Sequence, residues 1–454
     1  MERMRFGGRF CLTLMTLAPG LVFGELRLST FDIDATPPSG SRLTYDPMKE
    51  AGQLTLRCRG LVLQGAKAPI VLCAVDWIGV ANEGHDEFRS ALAAAAGTTR
   101  ERVAVQALHQ HDAPLCDFSS EKILRAHEQA PVIFDSNYTR PTIERAAAAV
   151  KACLERAETV THAGFGRAEV KEVASARRVL GPDGKIKFMR MTSCKDPKVR
   201  AEPEGTIDSN VAVVGFWRED QPLAVLSYYA THPQSYYRTG IANPDFPGIA
   251  RFLREQAVPT ALHIHFTGAG GNIGAGKYND GAPANRALLA ARLADGMQRA
   301  WSTIAKFPLA DGDVEWRVEP TALPPSPDLD EEKLLGELTG VSEKTASILG
   351  SAHRLAWLRR CRSGHRIDLS CLKLKRVSIL HMPGELFVEY QLAAQKMRPD
   401  RNVAMAAYGD YGPGYIGTEI AYSQGGYETQ PTSSFVAPHV EKVLNDAMAR
   451  LLRD

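Results

Sequence analysis

Val103-Ala104-Val105-Gln106-Ala107-Leu108-His109-Gln110-His111-Asp112-Ala113-Pro114 is an apolar run that passes, without a linker, into two histidines. The run reads as a buried strand, and the carboxyl end of a strand is where open α/β sheets place their ligands. The pattern recurs. Leu223-Ala224-Val225-Leu226-Ser227-Tyr228-Tyr229 leads into Ala230-Thr231-His232-Pro233, and a strand over 376–381 leads through Met382-Pro383-Gly384 to Glu385. Strands that end in histidine at one sheet edge can converge on one ion.

Around these stretches, 26–34, 54–63 with 69–75, 210–217 with 223–229, and 260–266 read as strands. Helices are expected near 86–96, 143–157, 248–256, 286–304, 385–396 and 440–452. Strands and helices alternate through most of the chain, which predicts an α/β fold. The expectation is a mixed, largely parallel β-sheet core with flanking helices, forming a single catalytic domain over residues 25–454.

The chain's 454 residues are 44% hydrophobic, enough to bury a large core. Its 54 basic and 52 acidic residues leave a net charge of +2, so no sequence-wide field attracts nucleic acid or an anionic membrane. That balance favours an enzyme or a small-ligand binder. Arg3, Arg5 and Arg9 precede an apolar run over 10–23, which ends at Gly24. This reads as a secretory signal over 1–24, cut before Glu25, and places the mature protein in the periplasm or outside the cell. The run is shorter than the roughly 20 residues of a membrane span, and no later segment reads as transmembrane. After the leader come Cys58, Cys73, Cys116, Cys153, Cys194, Cys361 and Cys371. They form no C-x-x-C pair, which argues against a zinc ribbon, and their odd number leaves at least one thiol unpaired.

Four elements can carry chemistry. Residues two apart on an extended segment share a face, so His109 and His111 can both look into one site. His232 stands at the end of its own strand, stiffened by Pro233. A carboxylate at Glu385 beside two imidazoles would leave a coordination position open for water, although a glutamate in a first helical turn also complements the helix dipole. The tight loop Tyr411-Gly412-Pro413-Gly414-Tyr415-Ile416-Gly417 can bring a phenol oxygen to a metal through Tyr415. Tyr427 can donate to a developing oxyanion; tyrosines in such loops also serve as packing. The loop Gly268-Ala269-Gly270-Gly271-Asn272 can offer backbone amides to an anion. A second H-x-H, His263-Ile264-His265, lies inside a strand and suits a core role.

Together, these elements resemble the neutral (alkaline, non-lysosomal) ceramidases, zinc amidases that cleave the N-acyl bond of ceramide. That family carries an H-T-H-S-G-P segment, here His109-Gln110-His111-Asp112-Ala113-Pro114, then a strand ending in H-P, here His232-Pro233, and a P-G-E start, here Pro383-Gly384-Glu385. Its tyrosine segment, Y-I-T-T-x-E-E-Y-x-x-x-x-Y-E, is matched in spacing by Tyr415-Ile416, Tyr422 and Tyr427-Glu428. The resemblance also covers the start Asp34-Ala35-Thr36-Pro37-Pro38 and Asp76. It implies His109, His232, Glu385 and Tyr415 as ligands of one zinc ion, His111 in contact with substrate, and Tyr427 stabilising the tetrahedral intermediate. It further implies an active-site arginine at Arg177 or its neighbour Arg178. Two departures stand out. The family's G-D/N-x-S-P-N loop reads Gly271-Asn272-Ile273-Gly274-Ala275-Gly276, with glycine in the serine position, and the chain is too short for the immunoglobulin-like domain that often follows.

The implied activity is hydrolysis of an N-acyl amide, in a lipid or a small molecule, by a water activated on zinc. A binuclear H-x-H amidohydrolase using His263 and His265 is an alternative. So is a pseudoenzyme that keeps metal and pocket to bind a lipid or glycan.

Overall fold

The computed structural model describes residue 1 and residues 25–65, 67–339 and 345–454. The leader expected over 1–24 lies, apart from its first residue, outside the described residues.

Three sheets form the body. The first runs Val103–Ala107, Ile70–Val75, Arg57–Gln64, Arg27–Asp34, Glu158–Thr159. The second runs Leu262–Thr267, Gln221–Tyr229, Asn210–Arg218, His162–Glu169, Ala305–Pro308. The third runs Val314–Thr321, Ile367–Leu374, Val377–His381, Asn402–Ala406.

The fold is mixed α/β, but the sheets are not largely parallel. Each has a single parallel pair, at one edge: Ile70–Val75 with Val103–Ala107, Gln221–Tyr229 with Leu262–Thr267, and Val377–His381 with Asn402–Ala406. All their other pairs are antiparallel. Connection length explains the difference. Two-residue turns join Arg218 to Gln221 and Leu374 to Val377, and so short a link can only reverse the chain. The parallel pairs are instead spanned by helices, Asn82–Ala96, Asp245–Ala257 and Val388–Met397. Alternation along the sequence was therefore a sign of three crossover units within otherwise antiparallel sheets.

The three parallel edges meet. One cluster of buried side chains draws on every sheet, including Leu72 and Ala104, Leu226 and Ile264, and Ile379 and Ala404. Polar stitches close the junction. The buried Gln106 amide donates to the carbonyls of Met382, Ala406 and Ala407 at 3.2, 2.9 and 3.1 Å. Ala107 N–H donates to Tyr408 O, Ala407 N–H to Thr267 O, and the Thr267 hydroxyl to Leu108 O. Behind the junction, Arg251 makes a bidentate pair with the fully buried Asp76 at 2.8 and 2.7 Å, tying the second crossover helix to the first sheet. Asp76 therefore ties elements together at the junction. Among the described residues no helix is long and apolar enough to cross a membrane.

Replacing Gln106 by leucine would take the side-chain donor from the Ala407 carbonyl, at a cost of about 1–3 kcal/mol, while Met382 O and Ala406 O keep the N–H groups of Gly409 and Met382. The urea midpoint of Gln106→Leu is expected to fall clearly below wild type. An unchanged midpoint would show that the junction does not depend on this amide.

Candidate metal centre

The carboxyl ends of the three parallel edges open onto one point. His109 follows Val103–Ala107 and has a φ of +69°, a region a side chain with Cβ rarely adopts. Its N–H donates to Trp77 O at 2.9 Å, which holds the bend. The strand thus ends at Ala107, before His109, rather than running on through His111. Even so, the two rings stand edge to face with centroids 5.1 Å apart. Ring nitrogens of His109, His111 and His232 lie within 4.8 Å of one another, a cluster that could hold a metal ion.

The orientation of two of these rings is fixed from behind. His109 Nδ1 lies 2.6 Å from Ile78 O, and His232 Nδ1 lies 2.7 Å from Gly270 O. A carbonyl only accepts, so each Nδ1 donates to it and each ring turns its Nε2 toward the cluster. Both Nε2 atoms face the same carboxylate oxygen, Glu385 Oε2, at 3.2 and 3.1 Å. His109 Nε2 and Glu385 Oε2 are buried and have no hydrogen-bond partner among the described residues. Burial, with Arg177 beside it, pushes His232 down to about 4. Burial raises the Glu385 carboxyl, but His109 and His232 more than reverse this and hold it well below the usual carboxylate range.

Glu385 is not in a helix's first turn, as the sequence suggested. Glu385–Leu386 pairs in parallel with Tyr415–Ile416, Glu385 opposite Tyr415, and the helix starts only at Val388. This pairing sets the phenol beside the carboxylate, with Tyr415 Oη 3.3 Å from His232 Nε2. The other carboxylate oxygen is occupied, since the Tyr411 hydroxyl donates to Glu385 Oε1 at 2.6 Å. One oxygen is thereby anchored and the other left free.

Of the two candidate arginines, Arg177 reaches the cluster. Its Nη1 donates to Tyr415 Oη at 3.1 Å and to Gly271 O at 3.3 Å, and its Nε lies 3.4 Å from the buried Glu428. Arg178 turns away to Glu428 Oε2 and the Ala421 carbonyl. Tyr427 stands at the mouth, 43% exposed, its ring 5.7 Å from that of Tyr415. His111 is stacked on Tyr45 and edge-on to Tyr237, and neither ring nitrogen has a partner among the described residues.

The glycine loop does not offer an amide nest. The N–H groups of Gly268, Ala269 and Gly271 go to Tyr229 O, Gln391 Oε1 and Leu386 O. What the loop provides is carbonyls and close approach: a Cβ at Gly270 would sit 2.8 Å from the Thr231 carbonyl carbon, and one at Gly271 would run into Glu385 O. Gly274 faces Arg177; a Cβ there would lie 3.5 Å from Arg177 Cγ and 3.2 Å from the Thr192 hydroxyl. His263 and His265 are buried within their strand, His265 Nδ1 bonded to the Ser227 hydroxyl at 2.8 Å. Among the described residues neither joins a cluster with metal-binding spacing. The cysteines with these numbers, Cys58 to Cys371, are all free thiols.

Sequence reasoning passed over Tyr408, whose ring stacks on His109 at 4.4 Å, and the Tyr45–Tyr237 wall around His111. It quoted Tyr411 and Glu428 without giving them a role. Tyr236-Tyr237, so soon after His232-Pro233, was the one available signal: paired aromatics in a loop beside a candidate ligand.

No protein-family model matches the sequence, and no curated protein matches it. Solved structures share its fold, two of them ceramidases. One, described as ceramidase complexed with C2, superposes with a TM-score of 0.66 over 94% of this chain and 75% of that chain, at 14% identity. The other, neutral ceramidase from Pseudomonas aeruginosa, gives a TM-score of 0.65 over 94% and 74%, again at 14% identity. The likeness is one of fold: this chain is built as those ceramidases are built.

Proposed function

We propose that the chain is an exported zinc-dependent hydrolase of N-acyl amide bonds, with residues 1–24 its signal and residues 25–454 one catalytic domain. In this reading His109, His232, Glu385 and Tyr415 hold a single zinc ion. The observation that carries it is the convergence of buried donor atoms. A tetrahedral zinc site with bonds of about 2.0–2.1 Å spaces its ligand atoms by roughly 3.3 Å. Glu385 Oε2 lies 3.2 Å from His109 Nε2 and 3.1 Å from His232 Nε2, and Tyr415 Oη lies 3.3 Å from His232 Nε2. Two imidazoles, a carboxylate and a phenol are hard-to-borderline donors that suit this ion.

Bound there, zinc supplies Lewis acidity, which acidifies a water toward neutral pH and polarises a carbonyl. The chain's own residues do the rest. Arg177 places positive charge beside the Tyr415 oxygen and the amide oxygen that becomes anionic, while Glu428 holds the guanidinium in place. Tyr427, at the mouth, donates the second hydrogen bond to that oxygen. His111, whose ring nitrogens have no partner among the described residues and which burial beside His109 and His232 holds well below the usual imidazole range, is the group placed to pass a proton to the departing amine. Met191, 40% exposed and in contact with Arg177, gives the mouth an apolar side for an acyl chain.

A second reading is a binding protein that keeps the ion and the pocket without turnover. Gly274 favours it, because no side chain faces Arg177 from this position. A zinc-loaded protein inert toward a broad panel of N-acyl amides and esters would establish that reading.

Metal analysis of purified wild type should give one zinc per chain and Glu385→Ala less than a tenth of that; full occupancy in the variant would remove the ligand set. Tyr411→Phe frees Glu385 Oε1, and its zinc affinity, read against a chromophoric chelator, should weaken about 10–100-fold. Tyr427→Phe should keep its zinc while kcat on an N-acyl amide falls about 10²–10³-fold. A wild-type kcat in this variant would show that Tyr427 only packs.

A further inference from the structure

The loop between His232 and the helix Asp245–Ala257 carries a residue the metal chemistry does not use. Arg238 has a φ of +66°, a conformation that glycine or asparagine adopts at lower cost. Its backbone is held there by the carboxylate of Asp112, the residue after His111. Asp112 Oδ1 accepts from Arg238 N–H at 2.9 Å and Thr239 N–H at 3.4 Å, and Oδ2 accepts from the Thr239 hydroxyl at 2.7 Å. A buried carboxylate is thus bonded to the loop that presents the exposed side chains of Tyr237 and Arg238.

The Arg238 side chain carries an unclaimed charge. Among the described residues Arg238 makes no ion pair, and its guanidinium rests against the rings of Tyr45 and Tyr237 at 5.1 and 5.7 Å. Those rings are the wall around His111, at 5.6 and 5.1 Å. From the metal cluster outward the order is therefore His109, His111, the two tyrosines, Arg238. If the loop needed only its backbone shape, glycine would serve better. An arginine there points to a role for the fork of donors, which matches a carboxylate.

We propose that Arg238 reads an anionic head group, of the carboxylate class, on the N-acyl substrate, and that Asp112 is the positioning residue that aims it. This rests on the hydrolase reading of the site and specifies its substrate as an N-acyl amino acid or a similarly charged N-acyl amide. The two tyrosine rings lie between the charge and His111 and so set its distance from the scissile bond.

The test is calorimetric binding to the zinc-loaded full chain, comparing N-octanoylglycine with N-octanoylethanolamine, which have the same acyl group but end in a carboxylate and a neutral hydroxyl. The carboxylate should bind at least about 10-fold more tightly, as expected for a charge-assisted hydrogen bond. Arg238→Gln should bring the ratio near one, and Arg238→Lys should restore part of it. Asp112→Asn should lower the ratio, with no further loss when combined with Arg238→Gln. Equal wild-type affinities overturn the inference. So does a preference that survives in Arg238→Gln, which would identify the zinc itself as the carboxylate's partner. Tighter carboxylate binding without hydrolysis of either compound supports the head-group reader and removes the hydrolase reading; hydrolysis of both with equal affinity does the reverse.

Discussion

Buried polar atoms of His109, His232 and Glu385, turned on one another, are the constraint on which the rest of the molecule depends. His109 Nε2 and His232 Nε2 lie 3.2 and 3.1 Å from Glu385 Oε2, with both imidazole Nδ1 atoms already committed to backbone carbonyls. Among the described residues His109 Nε2 and Glu385 Oε2 have no hydrogen-bond partner, and leaving a buried polar atom unsatisfied costs free energy comparable to a lost hydrogen bond or more. A cation held between them would remove that cost. The surrounding structure is what keeps the donors from relaxing apart: the left-handed backbone at His109, the Glu385–Tyr415 pairing and the Tyr411 hydroxyl each remove one degree of freedom.

The fold delivers this crowding through a repeated device. In each sheet a helix crossover creates one parallel edge, and the three edges are joined by Gln106, Thr267 and backbone bonds at their carboxyl ends. His109, His232, Glu385 and the tyrosine loop each follow one of those strands by a few residues. Antiparallel hairpins make up the rest of the sheets and carry no part of the cluster. The part of each sheet that is parallel is the part that serves the site.

Much of this could be read from the sequence, and the reasons differ by element. The strand ends at His109 and His232 were visible because an apolar run stops at a polar residue, and the closing helix over 440–452 because its apolar positions repeat. Sheet direction was misread because alternation of strands and helices says nothing of the two-residue turns at Glu219-Asp220 and Lys375-Arg376, which local turn chemistry decides. Glu385 looked like a helix start because its pairing with Tyr415 is a contact between distant segments. The glycine loop looked like an amide nest, but its carbonyls face the site and three of its amides are bonded elsewhere. Choosing Arg177 over Arg178 also needed the structure, since Arg177 lies in the bend between the short strands Ser175–Ala176 and Arg178–Leu180, and only its contacts show which way it turns.

If donors from three sheet edges close on one ion, anomalous diffraction from a crystal of the zinc-loaded protein, recorded on both sides of the zinc absorption edge, will show one anomalous peak, within about 2.0–2.2 Å of His109 Nε2, His232 Nε2 and Glu385 Oε2, with Tyr415 Oη completing the set. A peak held by His111 with Glu385 turned away, or a zinc-loaded crystal with no peak at the cluster, would contradict it.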